Sequence, residues 1–139
     1  MRLTEEQAWQ RVTEAAHGYL ATLHPERGID SVPVVFAVDA GRRIFVPVDT
    51  VKPKSTTALR RIENIRRDPR CTLLVDHYES DWSRLWWVRL HCLAAEPVAV
   101  DVAAFSSLLA SRYPHYEAAG SVVGGIVLTV TTVTGWAAQ

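Results

Sequence analysis

The chain has 139 residues, 15 basic and 15 acidic side chains, and 48% hydrophobic residues. That length buries one core but does not divide into two domains of usual size, so a single domain over residues 1–139 is expected. Zero formal net charge speaks against a nucleic-acid surface, and no stretch approaches the roughly 18 apolar residues of a membrane span. Charges at Arg2, Glu5 and Glu6, with no apolar run and small-residue cleavage site behind them, predict a cytoplasmic protein without a signal peptide. Cys71 and Cys92 are too few for a disulfide framework and read as buried free thiols.

Thr4-Glu5-Glu6-Gln7 matches a capping box, and Ala8, Trp9, Val12, Ala15 and Ala16 recur at helical spacing. A helix is predicted to run from there to about His17, with Gly18 as its stop. From Tyr19 the period changes to two. Tyr19 to Leu23 is a strand, and Val32 to Val38 forms a hairpin with Ile44 to Val48 across Asp39-Ala40-Gly41. Pro33 and Pro47 each remove a ladder donor, so each is expected at a sheet edge or bulge.

A second helix spans Ser55 to Arg67, with Ala58, Leu59, Ile62 and Ile65 inward and Arg60, Arg61, Arg66 and Arg67 outward. Strands follow at Cys71 to Asp76 and Leu85 to Ala95. Asp101 is a candidate cap for a third helix bearing Val102, Phe105, Leu108 and Leu109, and Ile126 to Thr134 is the last strand. Six strands, mostly in consecutive hairpins, with helices at the start, in the middle and before the last strand, predict an antiparallel barrel-type sheet whose openings are covered by helices.

Two clusters carry candidate chemistry. Lys52-Pro53-Lys54-Ser55 places two ammonium groups and a hydroxyl directly before a helix, where free amides favour an anion such as phosphate; a solvated basic loop is the plain alternative. Three of the five tryptophans, Trp82, Trp86 and Trp87, fall within six residues. On a strand Trp86 and Trp87 point to opposite faces, so one fills the barrel and the other covers a helix, a partner subunit or a planar ligand. The five histidines have no metal-ligand spacing, and no glycine-rich phosphate loop is present, which counts against nucleotide hydrolysis and a Rossmann site.

Taken in order, the segments resemble the flavin and deazaflavin oxidoreductases of the pyridoxamine 5'-phosphate oxidase-like superfamily, in particular the small actinobacterial F-420-dependent subgroup. The carriers are Gly18-Tyr19-Leu20-Ala21-Thr22-Leu23, Val32 to Val38, Ile44 to Val48, Lys52-Pro53-Lys54, Asn64 to Arg70 leading into Cys71 to Asp76, Asp81 to Trp87, Arg112-Tyr113-Pro114 and Gly135-Trp136. The resemblance implies a six-stranded antiparallel split β-barrel, of the FMN-binding type, forming a homodimer with two cofactor grooves between the subunits. It implies that Pro33 and Val34, then Val46, Pro47 and Val48, then Lys52, Lys54 and Ser55 line the cofactor, while Trp82, Trp86 or Trp87 approaches from one chain or the other. Coenzyme F-420 is the implied cofactor, with FMN as the alternative, and a small organic molecule the hydride acceptor; His77 or Tyr78 is a candidate proton donor. The basic set that would hold a pyridoxine phosphate is missing, which argues against vitamin oxidation. A non-catalytic flavin-, F-420- or tetrapyrrole-binding protein is the remaining alternative.

Overall fold

The computed structural model describes residues 1–49, 56–118, 120 and 122–139. Its helices are α1 (Glu5–Glu14), α2 (Thr56–Arg67) and α3 (Ala99–Arg112). The strands are β1 (Gly18–His24), β2 (Gly28–Val34), β3 (Ala37–Val38), β4 (Ile44–Asp49), β5 (Arg70–His77), β6 (Trp86–Ala95) and β7 (Val122–Ala137). All neighbours are antiparallel, in the order β2-β1-β5-β6-β7-β4-β3.

The run Val32 to Val38, predicted as one arm of a hairpin, is divided between the two edges of this sheet. Val32 and Val34 pair with Leu20 and Gly18 of β1, whereas Ala37 and Val38 pair with Phe45 and Ile44 of β4. Only Val35 and Phe36 lie between. Three Cα steps span at most about 11 Å, so the first and last strands of a seven-strand sheet are held together at this point. The sheet must curl, and the predicted six-strand barrel becomes a split barrel with seven strands among the described residues.

The curl gives the sheet an inside and an outside with different coverings. Along β6, Val88, Leu90, Cys92 and Ala94 are buried and alternate with exposed Arg89, His91 and Leu93, the period of two that one buried face requires. These inward residues join Leu20, Leu73, Val75, Ile44, Val46, Ile126 and Leu128 in the main core, which α1 closes with Ala8, Trp9 and Val12. On the outside, α3 covers β3, β4 and β7: Phe105 stacks on Phe45 with ring centroids 4.9 Å apart, beside Ala37, Leu109 and Val127. Burying a side chain of this size stabilises the fold by about 1.5–3 kcal/mol.

The capping box of α1 forms as predicted. Gln7 N donates to Thr4 Oγ1 at 3.2 Å and Thr4 N donates to Gln7 Oε1 at 2.9 Å. The helix ends at Glu14, short of the predicted His17, because Ala15 turns extended and its carbonyl accepts from the Arg112 guanidinium. Gly18 is therefore not a helix stop; it opens β1, where a Cβ would meet the Leu74 carbonyl oxygen at 3.0 Å. Asp101 is likewise not the cap of α3. That helix begins after Val98, and Asp101 in its first turn accepts from Arg43 Nη2 at 3.1 Å, tying α3 to the β3–β4 turn. The last strand is longer than the predicted Ile126 to Thr134, since β7 pairs with both β4 and β6.

Gly125 lies opposite Pro47, and a Cβ there would fall 2.6 Å from Phe45 Cζ and closer still to the Val46 carbonyl. Backbone cannot yield as a side-chain tip can. Gly125→Ala is expected to lower stability by about 2–3 kcal/mol, read as a fall in the urea midpoint with unchanged slope; a midpoint equal to wild type would show that β4 and β7 are not pressed together there.

Candidate functional site

From Val35 and Phe36 the two edges of the sheet diverge. Among the described residues, β2 has a strand neighbour only in β1, and β4 beyond Phe45 only in β7. The gap between these edges is the candidate cleft, and along it the edge amides and carbonyls have no strand partner among the described residues. Pro33 stands on one wall and Pro47 on the other, as predicted for edge positions, and the register of β4 against β7 shifts between Val48 and Asp49. Each proline removes one donor and hinders a further strand from zipping the walls together, so the barrel stays split.

Helix α2 is tied to both walls. Arg61 Nη2 donates to the Pro47 carbonyl at 3.4 Å on the β4 side. On the β2 side Asn64 Nδ2 donates to Thr22 Oγ1 and to Asp30 Oδ2, each at 2.9 Å. Asn64 is fully buried, so these bonds satisfy a polar group that would otherwise be costly inside the fold. Asp30 also accepts from Arg27 Nη2 at 2.6 Å, and these guanidinium and amide bonds hold its carboxyl well below the usual carboxylate range. Arg61 was predicted on the outer face of α2; it is half-buried and turned to the cleft wall because the Pro47 carbonyl lies at a strand edge and takes a side-chain donor.

The apex of the cleft is clamped from α3. Arg112 Nη1 donates to the Phe36 carbonyl at 3.2 Å, and Tyr113 Oη donates to the Ala16 carbonyl at 2.8 Å. Burial pushes the Tyr113 phenol up, keeping it a donor. Of these residues, Asn64, Arg112 and Tyr113 lay in segments quoted for the resemblance, yet their roles had one legible signal only: Asn64 is a polar residue between Ile62 and Ile65 on a helix face that is otherwise apolar.

The structure brings Pro33, Val34, Val46, Pro47 and Val48 to the two walls. Val34 and Val46 point into the main core, which leaves their backbone groups, not their side chains, for any ligand. Lys52, Lys54 and Ser55 lie outside the described residues, in the segment between β4 and α2. The tryptophans are elsewhere. Trp82 sits in a 3-10 turn (Trp82–Arg84) and is 77% exposed. Trp86 packs against the main core with the Arg11 guanidinium 5.8 Å over its ring, and Trp87 faces outward under Arg89 and opposite Trp136. Trp136 and Gly125, the partners of Trp87 and Pro47, are separated by eleven residue steps of β7, ~36 Å along the strand. Three strand spacings, ~14 Å, separate β6 from β2. Within one chain the tryptophans stand apart from both walls, as do His77, bonded to Glu79, and Tyr78, exposed in the β5–β6 turn.

No family model matches the sequence, and no curated protein matches it. Solved structures do. A FAD-binding protein of Mesorhizobium loti is 17% identical with a TM-score of 0.72, covering 97% of this chain and 95% of its own. A conserved hypothetical protein of Mycobacterium tuberculosis is 18% identical with a TM-score of 0.78, covering 99% and 86%. A candidate pyridoxamine 5'-phosphate oxidase of Corynebacterium glutamicum is 15% identical with a TM-score of 0.63, covering 97% and 90%. At these identities the likeness is one of fold: this chain is a split β-barrel, as these proteins are. No helix among the described residues is long and apolar enough to cross a membrane.

The Asp30 carboxyl is more acidic in the folded chain than the about 3.9 of an unfolded aspartate, so its stabilising effect is complete above that value and is lost as pH falls towards the folded one. Asp68, bonded to Arg70 and lowered to about 2, acts in the same sense. Thermal stability is expected to fall steadily as pH drops from about 4 to 2, and more gently in Asp30→Asn. Equal slopes for the two proteins would remove Asp30 as the group that senses acid.

Proposed function

We propose that this chain is a subunit of a homodimeric oxidoreductase that uses coenzyme F-420 to transfer a hydride to or from a small organic acceptor. The observation that carries this reading is the pair of strand edges on β2 and β4, which have no strand partner among the described residues, together with Lys52-Pro53-Lys54-Ser55 directly after β4 in sequence. A planar heterocycle with amide-like edges fits such walls, because each wall offers donors and acceptors in a plane and side chains above and below. Residues near Val34 and on Val46 to Val48 would hold the ring through their backbone, and Lys52, Lys54 and Ser55 would grip the anionic tail. The cofactor supplies the redox chemistry when bound, so the protein needs only position, dryness and complementary charge. Arg61, fixed to the Pro47 carbonyl, would stiffen the β4 wall and add positive charge.

Because the tryptophans stand apart from the cleft in one chain, a role for Trp82 or Trp87 over the ring requires a second copy. Exposed Trp82 and Trp136 beside Trp87 support that arrangement, since a large exposed aromatic cluster on a small protein usually marks an interface. A flavin in the same cleft is the second reading, favoured by the likeness to the FAD-binding protein of Mesorhizobium loti. Storage of either cofactor without turnover is distinguished from catalysis by whether F-420 absorbance declines with added enone or quinone acceptors.

Titration of the purified protein with F-420 and with FMN, followed by tryptophan quenching, is expected to give saturable binding of F-420. Lys54→Ala should weaken it about tenfold, the loss of one charge-assisted contact; an unchanged affinity would take the anion-gripping role from Lys54, and binding of neither compound would defeat the proposal. Light scattering should return twice the 15.5 kDa of one chain, and a monomer would leave the tryptophans without a route to the cofactor.

A further inference from the structure

Among the described residues no helix covers the outer face of β2, β1, β5 and β6. The buried residues of α1 and α2 belong to the main core, and those of α3 to the cluster over β3, β4 and β7. A sheet face turned to water normally shows polar side chains. Here Ile29 is 70% and Leu93 47% exposed, and Leu23, Leu74 and Trp87 are half-buried on the same face. Ile29 lies opposite Leu23, Leu74 opposite Tyr19, and Trp87 opposite Trp136, so these groups are neighbours across the strands and form one patch. Five strands from β2 to β7, about seven residues deep, span ~24 Å by ~24 Å. Side-chain relief brings such a face near the about 800 Å² that each partner buries in a specific interface.

The two ends of the face differ. At one end Ala21, Leu23, Ile29, His91 and Leu93 wall a groove of about 380 Å³, with Arg70 beside them. At the other, Asp76, Trp87 and Trp136 stand in one row across β5, β6 and β7. Arg70 and Asp76 lie on the outward side of β5, ~20 Å apart along the strand. Arg70 bonds to Asp68 through Nε and Nη2, yet its side chain remains 72% exposed and open to a second carboxylate.

We propose that this face docks a second copy of the chain, with the two β5 strands running in opposite directions. The inference rests on the homodimer proposed above and says where its subunits meet. A two-fold axis of that kind sets the groove end of each copy against the tryptophan end of the other, so the same contacts occur twice. Trp87 enters the groove of the second copy, where aliphatic walls take its ring out of water, and Asp76 meets Arg70 of the partner subunit. With the β5 strands parallel, arginine would face arginine and aspartate would face aspartate, and like charges oppose docking. An unrelated protein would need an aromatic knob, a groove and both charges in matching places; a second copy carries all of them.

The test is the mass of the full chain by light scattering over a dilution series, in which the wild-type dimer is twice 15.5 kDa. Leu93→Glu and Ile29→Glu each put a carboxylate in the groove wall and are expected to weaken the dimer at least about 100-fold. Both side chains are exposed in the single chain, so cooperative melting is retained, and either variant serves if the other fails to fold. Val100→Glu, exposed on α3, is expected to stay dimeric. Arg70→Glu and Asp76→Lys should each weaken the dimer about tenfold, and the double variant should recover most of the loss. A dimeric wild type whose two groove variants keep its affinity would overturn the inference and leave the homodimer standing. A wild type that is monomeric throughout would overturn both, while F-420 titration still reads cofactor binding by itself. Monomeric groove variants without recovery in the double charge reversal would overturn the opposed direction of the strands.

Discussion

Two residues, Val35 and Phe36, join the strand at one edge of a seven-strand sheet to the strand at the other, and a connection that short leaves the sheet no choice but to curl until its edges meet. Every later feature follows from that closure. The curl creates an enclosed interior for the main core, an outer face on β3, β4 and β7 for α3 to cover, and a split where the edges part again. The link is held from outside by Arg112 and Tyr113, whose donors satisfy carbonyls of Phe36, Ala15 and Ala16 that no strand or helix uses. Without those donors the part-buried carbonyls of Phe36 and Ala15 would lose these partners, which is costly in a fold of this size.

The split is held open by two opposed devices. Prolines at positions 33 and 47 remove donors from its walls, so that the strand edges do not pair with each other or with a further strand. Helix α2 then spans the gap through polar bonds, Arg61 on one side and Asn64 with Asp30 on the other. An apolar helix face alone would slide to the best packing; directional hydrogen bonds fix where the helix sits between the two edges. The gap is thus a part of the backbone architecture, and the recognition chemistry proposed for it is mostly that of the main chain, with charge expected from the lysines that follow β4.

The molecule has distinct ends. The tryptophans, His77 and Tyr78 gather where β6 begins and β7 finishes, while Pro47 and Val48 lie near the start of β7. A ring bound between strand edges and an aromatic wall made of Trp82 and Trp87 belong to one site only if two chains contribute.

Much of this was legible in the residues. The capping box at Thr4, the alternation along β6, the helix ending before Asp68-Pro69, and the edge positions of Pro33 and Pro47 are local signals, set by hydrogen-bond geometry and side-chain period within a few residues. The candidate walls at 33–34 and 46–48 came from the resemblance. What tertiary structure alone decided was pairing at a distance. Val32 to Val38 reads as one even strand, because alternation continues through Val35 and Phe36, yet the chain changes partners there since closing the barrel buries both edges. Gly18 and Asp101 look like a helix stop and a helix cap by local rule; the close approach of Leu74 and the guanidinium of Arg43 gave them other roles. Arg61 resembles any exposed arginine of an amphipathic helix until Pro47, fourteen residues away, offers it a carbonyl. Local chemistry determines which elements form, and contacts between residues remote in sequence determine which of their faces and edges remain available to a ligand.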